Sequence, residues 1–199
     1  DVIISEIMAD PVPAVSLPAR EYLELMNQST FSFNLKKWLL CAEGQKTVLP
    51  EAFLNPGEPL ILCSLSDTAV FRNYGKVAGV KSFPALTDEG RIVWISDSSG
   101  NFIHGVEYSS EWYGNSLKKN GGWSLEMIDT GFPFFTDGNW EDSSSKKGGT
   151  PGSSNSAARS NPDRYFGGIV NVFPESDKSI LLTLSETVIS LTGNPDSFL

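Results

Sequence analysis

The sequence predicts an all-β protein, an antiparallel β-sandwich with one short helical turn, on three observations. Short apolar runs of strand length recur along the chain, and they are frequent in β-branched and aromatic residues. Turn residues separate them, supplied by Gly 18 and Pro 12 in 199 residues. Only one segment carries helix punctuation.

The runs follow in order. Val2 to Met8 is the first, and in Tyr22 to Met26 the residues Leu23 and Leu25 alternate with Glu24. Trp38 to Cys41, Thr47 to Leu49 and Leu60 to Cys63 come next. Arg91 to Ile95 and Phe102 to Tyr108 flank Asp97-Ser98-Ser99-Gly100-Asn101, a turn with a glycine for the positive φ, so these two are expected to pair antiparallel. Ser124 to Ile128 closes the series. The helical turn is expected over Thr68 to Tyr74, with Ser66 or Asp67 as N-cap and Gly75 as the stop. Prolines 11, 13 and 18 and the Pro56-Gly57 pair mark loops.

Composition shifts after Trp140. Residues 141–163 are rich in Ser and Gly and nearly devoid of large apolar side chains, which reads as a linker or a pinned extended tail. Strand character returns in Ile169 to Phe173, Ile180 to Leu184 and Val188 to Leu191. The expected division is a sandwich over 1–157, a linker over 158–164 and an incomplete second β-domain over 165–199. A piece so short needs neighbours, so Ile180 to Leu184 should pack on the first domain or pair with another copy of the chain.

The charge balance limits function. Lys+Arg 15 against Asp+Glu 24 gives a net charge of −9, which repels phosphate backbones and argues against nucleic acid as partner. No apolar stretch approaches the ~20 residues of a membrane span. One His and two Cys leave no material for a His/Cys metal site, and no cofactor is expected. Cys41 and Cys63 each end an apolar run, where a free thiol commonly packs as a small hydrophobe; a bridge in an oxidising compartment stays open.

The order of motifs over 1–157 resembles the lamin tail domain, in its bacterial extracellular form. The residues that carry it begin with Ile4-Ser5-Glu6-Ile7-Met8-Ala9-Asp10-Pro11, Glu21-Tyr22-Leu23-Glu24-Leu25-Met26-Asn27 and Asn34-Leu35-Lys36-Lys37-Trp38-Leu39-Leu40. Leu54-Asn55-Pro56-Gly57-Glu58, Leu86-Thr87-Asp88-Glu89-Gly90 and Gly122-Trp123-Ser124-Leu125-Glu126 follow. Asn139-Trp140 and Thr150-Pro151-Gly152-Ser153-Ser154-Asn155 complete the set. The resemblance implies an immunoglobulin-like sandwich without catalytic residues. The 165–199 piece is similar to the opening strands of a bacterial Ig-like domain.

Structural roles are expected at the matched positions. Trp38 and Trp140 are large enough to seal the sheets, each burying on the order of 150–250 Å². Pro56-Gly57 makes the turn into the Leu60 strand, and Thr150-Pro151-Gly152 ends a last extended segment.

Several groups have side chains suited to chemistry. His104 shares a face with Phe102, Val106 and Tyr108 by alternation, unless Gly105 introduces a bulge; no nucleophile or carboxylate converges on it, so it reads as a hydrogen-bonded structural residue. The pairs Glu21/Glu24, Asp88/Glu89 and Glu126/Asp129 have the residue types for glycoside hydrolysis, but Glu21 and Glu24 fall on opposite strand faces. Asp97 to Asn101 and Asp10 have oxygens for calcium, yet a hairpin turn is the simpler reading of the former. The loop 109–122 carries Glu111, Trp112, Tyr113, Lys118 and Lys119, and a second loop carries Phe132, Phe134 and Phe135. The candidate binding patch is Trp112, Tyr113, Lys118, Lys119 and Phe134. Exposed, its rings would stack on sugars or anchor a protein; folded back, they would cap the sandwich end.

The expected function is that of a non-catalytic module of an exported bacterial protein, scaffolding or binding protein or polysaccharide at the cell surface or in the periplasm. A carbohydrate-binding module and an accessory domain of a secreted hydrolase are the alternatives.

Overall fold

The structure, a computed structural model, describes residues 1–133, 138–161, 169–174 and 179–184. The chain divides into two compact units, Asp1–Ser160 and Asn161–Leu199. In the first unit come β1 (Val2–Met8), β2 (Tyr22–Asn27), β3 (Phe33–Asn34), β4 (Leu39–Ala42), β5 (Gln45–Val48), β6 (Phe53–Leu54) and β7 (Pro59–Ser64). The helix α1 (Thr68–Phe71) precedes β8 (Val77–Val80), β9 (Gly90–Ser96), β10 (Phe102–Ser109), β11 (Leu125–Met127) and β12 (Trp140–Asp142). The protein is all-β. In the second unit β13 (Ile169–Pro174) pairs antiparallel with β14 (Ile180–Leu184). Phe134, Phe135 and Val188 to Leu191 lie outside the described residues.

Two sheets dominate the first unit. The six-stranded sheet runs β12-β11-β1-β2-β7-β8 and the four-stranded one β10-β9-β4-β5, with a β3-β6 ribbon beside them. Alternation turns one apolar face of each sheet inward, and these two faces share a core. Ile4, Ile7, Leu23, Leu25, Leu60 and Leu62 meet Leu40, Ala42, Val93, Ile95 and Val106 there. Trp38 and Trp140 are buried in the same cluster. Trp38 meets Phe33 edge-on at 5.8 Å, and Trp140 stacks on Trp112 at 6.0 Å. At the entry to β7, the amide of Glu58 donates to the carbonyl of Asn55 at 3.0 Å. Pro56 and Gly57 fill that turn, with Gly57 at φ +68°, the conformation a type II turn demands of its third residue.

The expected hairpin forms, with Arg91 opposite Tyr108 and residues 97–101 as its turn. Two features depart from expectation. First, β8 pairs with β7 in parallel, so the sheets are not wholly antiparallel. The connection across α1 returns the chain to the same edge. Second, the helix ends at Phe71, short of Tyr74, and follows a 3₁₀ turn over Leu65–Asp67. Asp67 makes no cap bond; its carboxylate instead accepts from Arg20 at 3.1 Å. Of the two readings open for the segment after Trp140, linker or pinned extended tail, the second holds: residues 143–157 form a strap across the outer face of the six-stranded sheet, as the bonds below show.

That outer face has a second apolar cluster of Met8, Leu17, Tyr22, Ile61, Cys63 and Phe71. Cys63 is a free thiol there, and Cys41 is free on the other sheet.

A bulge at Ser5 governs the face that each β1 residue takes. The register passes from Ile4 opposite Leu25 to Glu6 opposite Glu24, with Ser5 as the extra residue. Ile4 and Ile7, three apart, therefore both enter the core, while Glu6 turns to the outer face.

Trp140→Ala should lower stability by about 3–5 kcal/mol, the usual loss for a buried indole. Urea unfolding followed by circular dichroism measures this; a change under 1 kcal/mol would show that Trp140 does not seal the core.

Candidate functional site

Three glutamates come together in one row across adjacent strands. Glu6 of β1 lies opposite Glu126 of β11 on one side and Glu24 of β2 on the other. All three are fully buried. No Lys, Arg or His among the described residues forms an ion pair with any of them.

Neutral donors surround them instead. Glu6 Oε1 accepts from the Tyr22 hydroxyl at 2.7 Å, the Ser124 hydroxyl at 2.6 Å and the Thr150 amide at 2.8 Å. Glu24 accepts from the Ser5 hydroxyl at 2.9 Å and the Gly152 amide at 2.6 Å. Glu126 accepts from the Thr150 hydroxyl at 2.9 Å, the Ser156 hydroxyl at 2.8 Å and the Ala157 amide at 2.7 Å. Each carboxyl group thus receives one amide from the strap. Asn155 adds the backbone, donating to the carbonyls of Ser5 and Met127 at 2.9 Å each.

Amide hydrogens aimed at the oxygens present positive dipole ends, the reverse of a cation cage, whose first shell is oxygen alone. Among the described residues no cluster of His, Cys, Asp or Glu is arranged to hold a metal ion. Burial, and then the charge of a neighbouring glutamate, pushes the Glu6 and Glu24 carboxyl groups well above the usual carboxylate range. The strap amides and the hydroxyls oppose this in part.

The strap lies close enough that only glycine fits at its centre. A Cβ at Gly149 would stand 2.7–2.8 Å from the Tyr22 hydroxyl, Glu6 Oε1 and Ser124 Oγ. Thr150-Pro151-Gly152 is the segment that docks, with Gly152 at φ +76° and packed against Gly75.

His104 is buried, and its Nδ1 accepts the amide of Ile4 at 3.2 Å, beside the Ser5 bulge. The β10 register shifts between Phe102 and His104, so the bulge sits before the histidine and not at Gly105. Phe102 is consequently exposed while His104, Val106 and Tyr108 are buried. Burial lowers the imidazole to about 4, against some opposition from a backbone hydrogen bond at Pro133.

The sequence-predicted pairs Glu21/Glu24 and Glu126/Asp129 do not assemble. It is Glu6, not Glu21, that meets Glu24; Glu21 is half-buried and accepts the amide of Leu86 at 3.1 Å. Asp129 accepts the Gly131 amide, whereas Glu126 faces the strap. Asp97 accepts the amides of Ser99 and Asn101, closing the hairpin turn, and Asp10 accepts the amide of Val12.

In the 109–122 loop, Trp112 and Tyr113 are half-buried and pack on the core. The Tyr113 hydroxyl donates to the carbonyl of Trp123 at 2.7 Å. Lys118 pairs with Asp142, donates to the Ser143 carbonyl, and stands 4.6 Å from the Trp123 ring centre. Lys119 pairs with Glu111.

One aromatic surface went unnoticed in the sequence. On the outer face of the four-stranded sheet, Trp94 and Phe102 lie 6.2 Å apart, with Lys46 over the indole at 6.0 Å. Gly105, opposite Trp94, leaves room for both rings: a Cβ there would lie 2.8 Å from Trp94 Cβ. Ile92, Val48 and Phe102 are about half exposed, at 46, 59 and 50%. Strict alternation of Ile92 and Trp94 with the core residues Val93 and Ile95 was the signal for this face.

No family model, curated protein or solved structure matches this chain. Among the described residues no helix is long and apolar enough to cross a membrane.

Gly149→Ala should destabilise the protein by about 1–3 kcal/mol through overpacking, read as a lowered urea midpoint; an unchanged midpoint would mean the strap does not sit so close. For His104, a folded value below the usual one stabilises the protein above pH 6.5, and that gain disappears as pH falls through about 4. The stability difference between wild type and His104→Asn should therefore shrink from pH 6.5 to 4. Parallel urea melts across that range test it, and a constant difference would contradict the buried, neutral imidazole.

Proposed function

We propose that this chain is a non-catalytic recognition or scaffolding module of an exported bacterial protein, an immunoglobulin-like sandwich of the lamin tail kind. The observation that carries the reading is the direction of its polar chemistry. Glu6, Glu24 and Glu126 direct their oxygens to the strap, and His104 directs its acceptor nitrogen to the Ile4 amide. General acid–base work needs such groups within reach of a substrate proton. Apolar and aromatic side chains, by contrast, face outward from the four-stranded sheet.

The Trp94–Phe102 pair favours polysaccharide as one class of partner. Flat aromatic faces stack on the C–H faces of sugars and lose little side-chain entropy in doing so. Affinity electrophoresis through a panel of soluble polysaccharides, with reducing-end assays on the same samples, tests the proposal. Retardation by at least one glycan is expected without release of sugar ends. Trp94→Ala with Phe102→Ala should abolish that retardation, since both are surface substitutions that leave the core intact. Sugar release by the wild type, absent from a Glu6→Gln control, would overturn the non-catalytic reading. Retardation that survives loss of Trp94 and Phe102 but not of Trp112 would transfer binding to the 109–122 loop.

A further inference from the structure

The Glu6–Glu24–Glu126 row binds the strap without a positive charge, and the hydroxyl groups between the carboxyls cannot serve all three as anions. Thr150 Oγ1 lies 2.9 Å from Glu126 Oε1 and 3.4 Å from Glu6 Oε2, but it has a single hydrogen to donate. It completes both contacts only if one of the two glutamates is protonated and donates to it. Ser156 Oγ likewise has one hydrogen, lies within 2.8–3.1 Å of both Glu126 oxygens, and accepts from the amides of Ser144 and Ser145. Three adjacent buried anions without a cation would also repel one another strongly. We propose that Glu6 and Glu24 hold protons when the strap is docked, so that 148–157 is a latch that loosens as the pH rises.

The groups facing the trio support that direction. From β2 comes Tyr22, whose phenol is driven far above its usual range by burial and the neighbouring glutamates. From β7, opposite Tyr22, comes Cys63, its thiol pushed up to about 12 by burial. The Ser124 segment and the strap itself contribute only neutral donors. None of these supplies a compensating charge. In the docked state Glu6 titrates at about 7 and Glu24 at about 8, against 4.5 for an exposed glutamate. The docked state therefore binds more protons than the released one. Its advantage is complete below pH 4.5 and is lost as pH rises through 7 and 8.

Hydrogen exchange with mass spectrometry on the whole chain, from pH 6 to 9, tests the latch. Rates are divided by the intrinsic exchange rate at each pH to give protection factors. Protection of the 148–157 amides is expected to fall at least about tenfold, the equivalent of one proton over one pH unit. Peptides from β9 and β10 should keep theirs. The double variant Glu6→Gln with Glu24→Gln, neutral at both positions at every pH, should retain strap protection up to pH 9, or the wild-type series alone decides if that variant does not fold. Constant strap protection across the range would overturn the proposal. So would a uniform loss over all peptides, which marks global unfolding and not a latch.

Discussion

Burial of three carboxyl groups on neighbouring strands is the constraint on which the first unit depends. Once β11, β1 and β2 lie side by side, the in-register glutamates 126, 6 and 24 form a row that the sheet ladder itself cannot satisfy. A buried carboxyl group left without partners costs several kcal/mol. The strap supplies the missing donors, one backbone amide to each group. This accounts for the order of a segment with almost no apolar side chains. Hydrogen bonds to these buried carboxyl groups hold it. Close approach then dictates glycine at 149, where any side chain would strike the Tyr22, Glu6 and Ser124 oxygens at once.

The Ser5 bulge links this arrangement to the core. With one extra residue, β1 places both Ile4 and Ile7 inward and turns Glu6 outward; a regular strand would put Ile4 and Glu6 on the same side. The irregular backbone leaves polar groups that a ladder would have paired. Asn155 takes the carbonyl of Ser5, and His104 takes the amide of Ile4. One local distortion is thereby answered from the strap on one side and from the four-stranded sheet on the other. It couples the two faces of β1, and it accounts for a neutral buried imidazole there.

Much of this was legible in the sequence wherever the signal is local. The β1, β2, β7, β9 and β10 runs show themselves by apolar content, the 97–101 hairpin by its turn residues, and Trp38 and Trp140 by size. What escaped depends on contacts between distant residues. A single Glu stands inside each of the apolar runs of β1, β2 and β11, and that shared pattern was the available sign of a common buried partner. Linear proximity instead suggested Glu21 with Glu24 and Glu126 with Asp129, since cross-strand register cannot be read along one chain. The strand β8 is short, contains Gly79, and is held in place by its parallel neighbour β7. The strap looks flexible by composition because its ordering groups belong to other strands.

The two sheets differ in how their outer faces are finished, and that difference bears on function more than any single residue. The six-stranded sheet is packed on both sides: by the shared core, and by the strap with the Tyr22–Phe71 cluster. The four-stranded sheet has its inner face in the core, while Ile92, Val48 and Phe102 stay substantially exposed outside. Apolar exposure costs solubility, so a sheet face of this kind needs polar side chains about it or a partner upon it. Lys46 lies beside Trp94, which supplies the first. Gly105 then matters as much as the rings. By leaving no side chain opposite Trp94, it lets Phe102 settle beside the indole and broadens a single aromatic side chain into a surface. A face needed only for packing would gain more from a β-branched residue at 105, which fits a pleated sheet better than glycine does.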